Sequence, residues 1–197
     1  MNTSTNGRRK LVLTLATFLL PALPRLVAAQ ATAPSGPQAK APLEGTRMAG
    51  EGLLRFFGLQ VYRARLWVSP GFAPERFSAL PLALELHYLR NLSGSAIAQR
   101  SLEEMRRAGP IPEEKATAWL QMLTAVMPSV ADGDRLTGIY RPNDALELLF
   151  TQGQSQRSLG KVGDAEFAAR FMGIWLASAT SEPDLRRALL GSTVTAQ

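Results

Sequence analysis

The segment that most constrains this chain is one uninterrupted run, Leu59-Gln60-Val61-Tyr62-Arg63-Ala64-Arg65-Leu66-Trp67-Val68. Gly58 precedes it, and Pro70, Gly71 and Pro74 break the chain after it. A strand alternates its side chains between two faces. Leu59, Val61, Arg63, Arg65 and Trp67 therefore share one face, and Gln60, Tyr62, Ala64, Leu66 and Val68 share the other. Apolar residues on both faces predict a central strand covered on both sides. The fold must then supply neighbouring strands and something to pack on them.

The rest of the chain provides both. Thr46 to Phe57 reads as a first strand, with Leu54, Phe56 and Phe57 leading into Gly58. Leu82, Leu84, Leu86 and Tyr88 alternate with Ala83, Glu85, His87 and Leu89, which predicts a strand with one apolar face. The period then changes. Ser93 to Arg107 carries Ile97, Leu102 and Met105 on a helical stripe and stops at Gly109-Pro110. Pro112 to Met127 opens with Pro-Glu-Glu, which suits a helix N-terminus by geometry and dipole, and carries Trp119, Met122, Leu123 and Val126. Leu136 to Arg141 and Ala145 to Thr151 predict a hairpin through Pro142-Asn143-Asp144, and Gln156 to Val162 a further strand. Asp164 suits the N-cap of a helix bearing Phe167, Phe171, Ile174 and Trp175. Ser181-Glu182-Pro183-Asp184 opens a short helix from Leu185 to Leu190, ended by Gly191. Strands, helices, strands, helices, in that order, predict an α+β fold with an antiparallel sheet and helices packed on it.

The N-terminus follows a different logic. Arg8, Arg9 and Lys10 precede an uncharged apolar run, Leu11 to Leu23, which leads into Val27-Ala28-Ala29. That is the three-part layout of a secretory signal, with cleavage expected after Ala29 and export to a bacterial periplasm. The apolar run is short for a bilayer span, and prolines at 21 and 24 interrupt it, so no stable membrane span is expected after cleavage. Residues 30–43 are rich in Ala, Pro, Ser and Gly and read as a flexible linker, leaving one domain over 44–192.

The signal also explains the charge. The whole chain has 22 basic and 16 acidic residues, a net of +6. Four of the basic residues and none of the acids precede the cleavage point, so the mature chain keeps 18 against 16, a net of +2. The composition argument for a nucleic-acid partner disappears with them. With no cysteine, thiol catalysis, lipidation on cysteine and Cys-based metal sites are excluded, and the single histidine, His87, rules out a His-rich metal cluster.

Several blocks together resemble the exported bacterial branch of the chalcone isomerase-like family. They are Leu84 to Gly94, Ser101 to Met105, Gly133-Asp134-Arg135-Leu136, and above all Phe171 to Leu176 with Thr180 to Arg186. The resemblance covers roughly residues 44 to 191. It implies an open-faced sandwich, a large curved antiparallel sheet with helices layered on one face and a cleft between them. In the plant enzymes of that family the cleft cyclises a chalcone to a flavanone. An early-strand arginine, a threonine on the next strand, a tyrosine and an asparagine near a helix start, and a late serine or threonine line it. Non-catalytic relatives bind fatty acids, the arginine holding the carboxylate.

By that resemblance, Arg55 stands at the arginine position, after Gly50-Glu51-Gly52-Leu53-Leu54. Tyr62 matches the strand threonine and Ser181 the late hydroxyl, while Arg100 stands for the asparagine. The water-ordering tyrosine has no counterpart, the neighbourhood reading Asn91-Leu92-Ser93-Gly94, so about half the catalytic set is present.

The residues carry their own alternatives. Arg55, between Leu54 and Phe56, must snorkel to water or find an anion, since an unpaired buried charge is costly; it could equally form a structural ion pair. Tyr62 can hydrogen-bond an anion or serve as a core tyrosine, and Ser181 reads first as a helix N-cap. Arg63 and Arg65 are expected on a solvated face, His87 on the surface, and Arg100, Arg106 and Arg107 with Glu103 and Glu104 on a charged helix exterior. The expectation is an exported protein whose partner is a small apolar or amphipathic ligand with a carboxylate or enolate end, fatty-acid-like or aromatic. Arg55, Tyr62 and Ser181 would hold the ligand, with no cofactor. The alternatives are an intramolecular lyase acting on a chalcone-like substrate, and a protein-interaction module with a closed cleft.

Overall fold

In the computed structural model, which describes residues 41–191, the alternating run is a strand along its whole length. It is β2 (Leu59–Val68), preceded by β1 (Arg47–Phe56) and followed by β3 (Leu82–Tyr88). Two helices interrupt the sheet, α1 (Gly94–Arg107) and α2 (Glu113–Val126). Then come β4 (Arg135–Tyr140), β5 (Leu146–Gln152) and β6 (Ser155–Val162), and finally α3 (Ala165–Leu176) and α4 (Pro183–Leu190). The six strands lie in sequence order and every neighbouring pair is antiparallel. The α+β fold class and each expected element are therefore present. The signal segment 1–29 and most of the linker lie outside the described residues.

The sheet buries one face under the helices. Ala64, Leu66 and Val68 of β2, Leu82, Leu84, Leu86 and Tyr88 of β3, and Leu148 and Phe150 of β5 join α1, α2, α3 and α4 in one core. The opposite face carries only a small cluster of Trp67, Ala83 and Ile139, covered by Ala41, Leu43 and Leu149. The expectation that both faces of β2 are covered is thus met only at its Trp67 end. Farther along the same face, Arg63 and Arg65 both bind Glu51, at 3.0 and 2.5 Å, and Arg65 also lies 3.7 Å from Glu85. The solvated reading of these arginines becomes an ion-pair belt across three strands. Such half-exposed pairs each contribute little to stability, but they tie up both cations.

Two details position the helices. The first is α4, which lies directly against β1. A Cβ added to Gly50 would stand 2.1 Å from the Ala188 carbonyl oxygen, and one on Gly52 would stand 2.6 Å from Leu185 Cδ1. Only hydrogens at these two positions let helix backbone and strand backbone approach so closely.

The second is α3, whose inner side is an aromatic ladder at helical spacing. Phe167 and Phe171 stack at 5.6 Å, and Trp175 meets Phe171 edge-on at 5.6 Å. Asp164 caps the helix as expected, accepting from the Phe167 amide at 2.9 Å. Its second oxygen accepts from the Trp119 indole of α2, also at 2.9 Å. Burial would push the Asp164 carboxyl up, but these donors outweigh it and hold it below the usual aspartate range.

Two outcomes are expected. Gly50→Ala forces backbone against backbone and should cost about 3 kcal/mol in urea unfolding. Asp164→Ala removes a cap and strands a buried indole N–H, for a loss of about 2 kcal/mol. The Asp164 contribution is fully present above the unfolded pKa near 3.8 and is lost as pH falls through the lower folded value. Acid melts of wild type and Asp164→Asn should therefore converge below that range.

Candidate functional site

Between the sheet and α1, α3 and the start of α4 lies a cavity of about 330 Å³. That is the low end of the size of small-molecule sites. Most of its wall is apolar: Leu84 and Leu86 from β3, Ile97 from α1, Leu148 from β5, and Phe171 and Ile174 from α3 are typical. Of the apolar residues expected on this helix, Phe171, Ile174 and Trp175 are wall as well as core, whereas Phe167 is core alone.

The polar groups in the wall are few. Tyr62 projects from β2 toward α3, where its phenol oxygen accepts from the Trp175 indole at 2.9 Å. That bond leaves the Tyr62 O–H free to donate elsewhere. Burial drives its pKa well above 10, and the indole donor offsets only part of this. Tyr88, directly opposite Tyr62 on β3 and edge-on to it at 5.8 Å, is pushed up the same way by burial and by the Tyr62 phenol. Both phenols remain neutral donors at any ordinary pH.

Charged groups come mainly from α1. Arg100, Ser101 and Glu104 line the cavity, and Glu104 is buried. Arg100 lies 2.6 Å and Arg107 3.0 Å from the two Glu104 oxygens, yet neither contact has hydrogen-bond geometry. The carboxylate is therefore neutralised but keeps acceptor capacity. Glu182, at the start of α4, completes this end of the wall; burial, and then the nearby Glu104, hold its carboxyl above the usual glutamate range. Arg90, two residues past β3, also lines the cavity. The Leu89 amide bonds the Val61 carbonyl at 3.0 Å, which extends the β2–β3 pairing and sets Arg90 diagonally across from Tyr62. Among the described residues Arg90 forms no ion pair, whereas Arg100 is shared with Glu103 and Glu104.

The three sequence-derived candidates separate. Tyr62 and Ser181 line the cavity; Arg55 does not. Leu54 and Phe56 face inward on β1, so the intervening Arg55 points to the other side and is exposed. A register irregularity here pairs Leu54 with Tyr62 but Arg55 with Gln60, so that Val61 is the extra residue and joins the wall. Of the two fates open to Arg55, the side chain takes the one in water. The cations in the wall are instead Arg90 and Arg100. Arg100 lines the cavity as the family resemblance implies, against the expectation of a charged helix exterior, and Glu104 joins it there; their spacing from Ile97 puts them one helical turn and two turns along the same face. Ser181 is not the cap of α4. Glu182 occupies that position, and Thr180 Oγ1 accepts from the Glu182 amide at 3.2 Å, leaving the Ser181 hydroxyl to the cavity. His87 lies on the opposite face, lowered in pKa by burial and by Arg135.

Among the described residues no group of His, Cys, Asp and Glu could hold a metal ion, and no helix is long and apolar enough to cross a membrane. The fold and cavity can be set beside known proteins. The sequence model described as chalcone isomerase-like matches residues 37–191. The chain belongs to the chalcone isomerase-like family. Among solved structures, the Arabidopsis thaliana fatty-acid binding protein is similar, with a TM-score of 0.54 at 11% identity, over 76% of this chain and 89% of that one. No curated protein sequence matches the chain. At that identity the likeness speaks for the chalcone isomerase-like fold: six antiparallel strands, with helices on one face.

A spectroscopic result follows from the buried phenols. Tyr62, Tyr88 and Tyr140 are all raised by burial above the ordinary value of 10. Ultraviolet titration should show little phenolate at pH 10, then a rise that coincides with unfolding. The sign follows from linkage: the unfolded chain loses these protons near pH 10 and the native one does not, so stability falls as pH rises above 10.

Proposed function

We propose that the chain is a non-catalytic binding protein for a small amphipathic molecule with an anionic oxygen at one end, a fatty acid or an aromatic acid. The observation that carries this reading is the Tyr62 hydroxyl. It is fixed by Trp175, kept neutral by burial, and faces a mostly apolar cavity with its proton unused. A ligand carboxylate or enolate accepts that proton, Arg90 supplies the unpaired charge from the adjacent strand, and Ser181 assists from the start of α4. Charge-assisted hydrogen bonds of this kind are the strong ones. The apolar remainder of the ligand lies against Leu84, Leu86, Ile97, Leu148, Phe171 and Ile174. The similarity to a fatty-acid binding protein supports this ligand class. We propose too that the protein belongs to an exported bacterial branch of the family and works in the periplasm after cleavage following Ala29, on the strength of the N-terminal sequence pattern.

The test is extraction of small molecules from protein purified from its native compartment, followed by mass spectrometry and titration with the compound found. A stoichiometric fatty or aromatic acid is expected. Tyr62→Phe should weaken binding about tenfold, the worth of one good hydrogen bond, and Arg90→Ala by at least as much. An empty protein, or unchanged affinity in both variants, would remove the assignment. Turnover of a chalcone-like substrate would replace it with an intramolecular lyase.

Binding should also depend on pH. Glu182 is held above the usual glutamate range, so it takes up a proton sooner than an ordinary glutamate as pH falls. Loss of its negative charge favours an anionic ligand. Affinity should therefore rise on mild acidification, until the ligand's own carboxyl protonates, and Glu182→Gln should flatten that rise.

A further inference from the structure

The tip of the β1–β2 hairpin breaks two rules at once. Its two-residue loop, Phe57-Gly58, has positive φ at both positions, 48° and 78°. Hairpin loops of this kind favour Asn, Asp or Gly, and a bulky side chain at positive φ is strained. Phe57 is also 90% exposed, and its one aromatic contact is the ring of Phe56 beside it, at 4.5 Å. Phe56 and Leu59 are each 54% exposed. A residue that is both strained and unburied is not explained by the folded chain itself, and an outlier of this kind points to function.

The surroundings indicate what the tip meets. No acidic residue occurs between Glu51 and Glu75, whereas Arg55 is exposed on the same hairpin and forms no ion pair among the described residues. Arg90 approaches from the adjoining strand end, where Leu89 is bonded to Val61. Phe56 is half in water and half in the cavity wall, so the cavity reaches the surface beside this tip. A convex tip of three apolar side chains is far smaller than the roughly 800 Å² per partner of a stable protein interface. Aromatic tips flanked by cations suit the headgroup region of a bilayer, and arginine near such a surface favours anionic lipid.

We propose that the Phe56-Phe57-Gly58-Leu59 tip is a membrane-docking element that seats the cavity mouth on an anionic bilayer surface. Phe57 and Leu59 enter the headgroup region, Arg55 meets lipid phosphates, and Phe56 stands between the bilayer and the cavity. This goes beyond ligand binding and can be tested without any cavity ligand.

The test is flotation with vesicles of phosphatidylcholine alone and of phosphatidylcholine with 30% phosphatidylglycerol, as about a third anionic lipid gives a substantial surface charge. The chain from Gln30 onward contains every described element and omits the apolar Leu11–Leu23 run, which would bind lipid by itself. It should float with the anionic vesicles, less with neutral ones, and less at high salt. Phe57→Asn should lower partitioning about tenfold while the melting temperature stays the same or rises, since asparagine suits positive φ. Arg55→Gln should weaken binding to anionic vesicles and spare neutral ones. Equal flotation of wild type and Phe57→Asn would overturn the proposal. So would no flotation of the wild type, or a concentration-dependent dimer that Phe57→Asn abolishes, which would make the tip a contact between copies. Ligand content, read by extraction, judges the cavity separately, so failure of one reading leaves the other standing.

Discussion

Helix α3 is pinned at each end by one indole hydrogen bond, and the cavity exists because of it. At its N-terminus Trp119 donates to Asp164, the residue that caps it; near its C-terminus Trp175 donates to Tyr62 on the sheet. The aromatic ladder between these points fills the space beneath the helix without needing direction. Hydrophobic burial alone would press helix and sheet together until the gap closed. Two directional bonds to different partners fix the helix's position, and a cavity remains where the ladder meets β2 and β3. Each bond also satisfies a buried N–H that would otherwise be costly.

The polar end of the cavity follows the same economy of partners. Glu104 is neutralised by two arginines, Tyr62 is held by Trp175, and the backbone around Glu182 is held by Thr180. Among the described residues Arg90 and the Tyr62 proton are left over, set diagonally across from each other. A site for an anion is defined here less by what converges on it than by what has no internal partner. The belt of Arg63, Arg65 and Glu51 on the far face is the counterexample: a denser cluster of charge whose members satisfy one another.

The fold was legible in the sequence because its signals are local. Alternation in Leu59–Val68 and Leu82–Tyr88, the changed period through α1 and α2, and the Asp164 cap each report on a few neighbouring residues. The site was legible only in part. Tyr62 and Ser181 reach the cavity, but Arg55 does not, because it falls between Leu54 and Phe56, which face inward on β1. The register shift that brings Val61 into the wall leaves the alternating pattern on either side intact, so it carries no mark in the sequence. The helix pattern alone does not bring Arg100 and Glu104 to the cavity, for a different reason. A charged pair on a helix ordinarily belongs in water, and the cavity that admits them is formed by elements from distant parts of the chain.

That distance has a consequence for how the molecule assembles. Every strand pairing in the sheet joins consecutive strands and can form as the chain emerges. The contact of α4 with Gly50 and Gly52 is the opposite: it unites the last described helix with the first strand. Contacts of such long sequence separation carry a high loop-closure cost before they return anything. The cavity is incomplete until α4 packs, and without α4 the face of β1 is uncovered at its two glycines. A chain made from its N-terminus onward would expose that face until its last described helix is in place, a window in which a chaperone has something definite to hold.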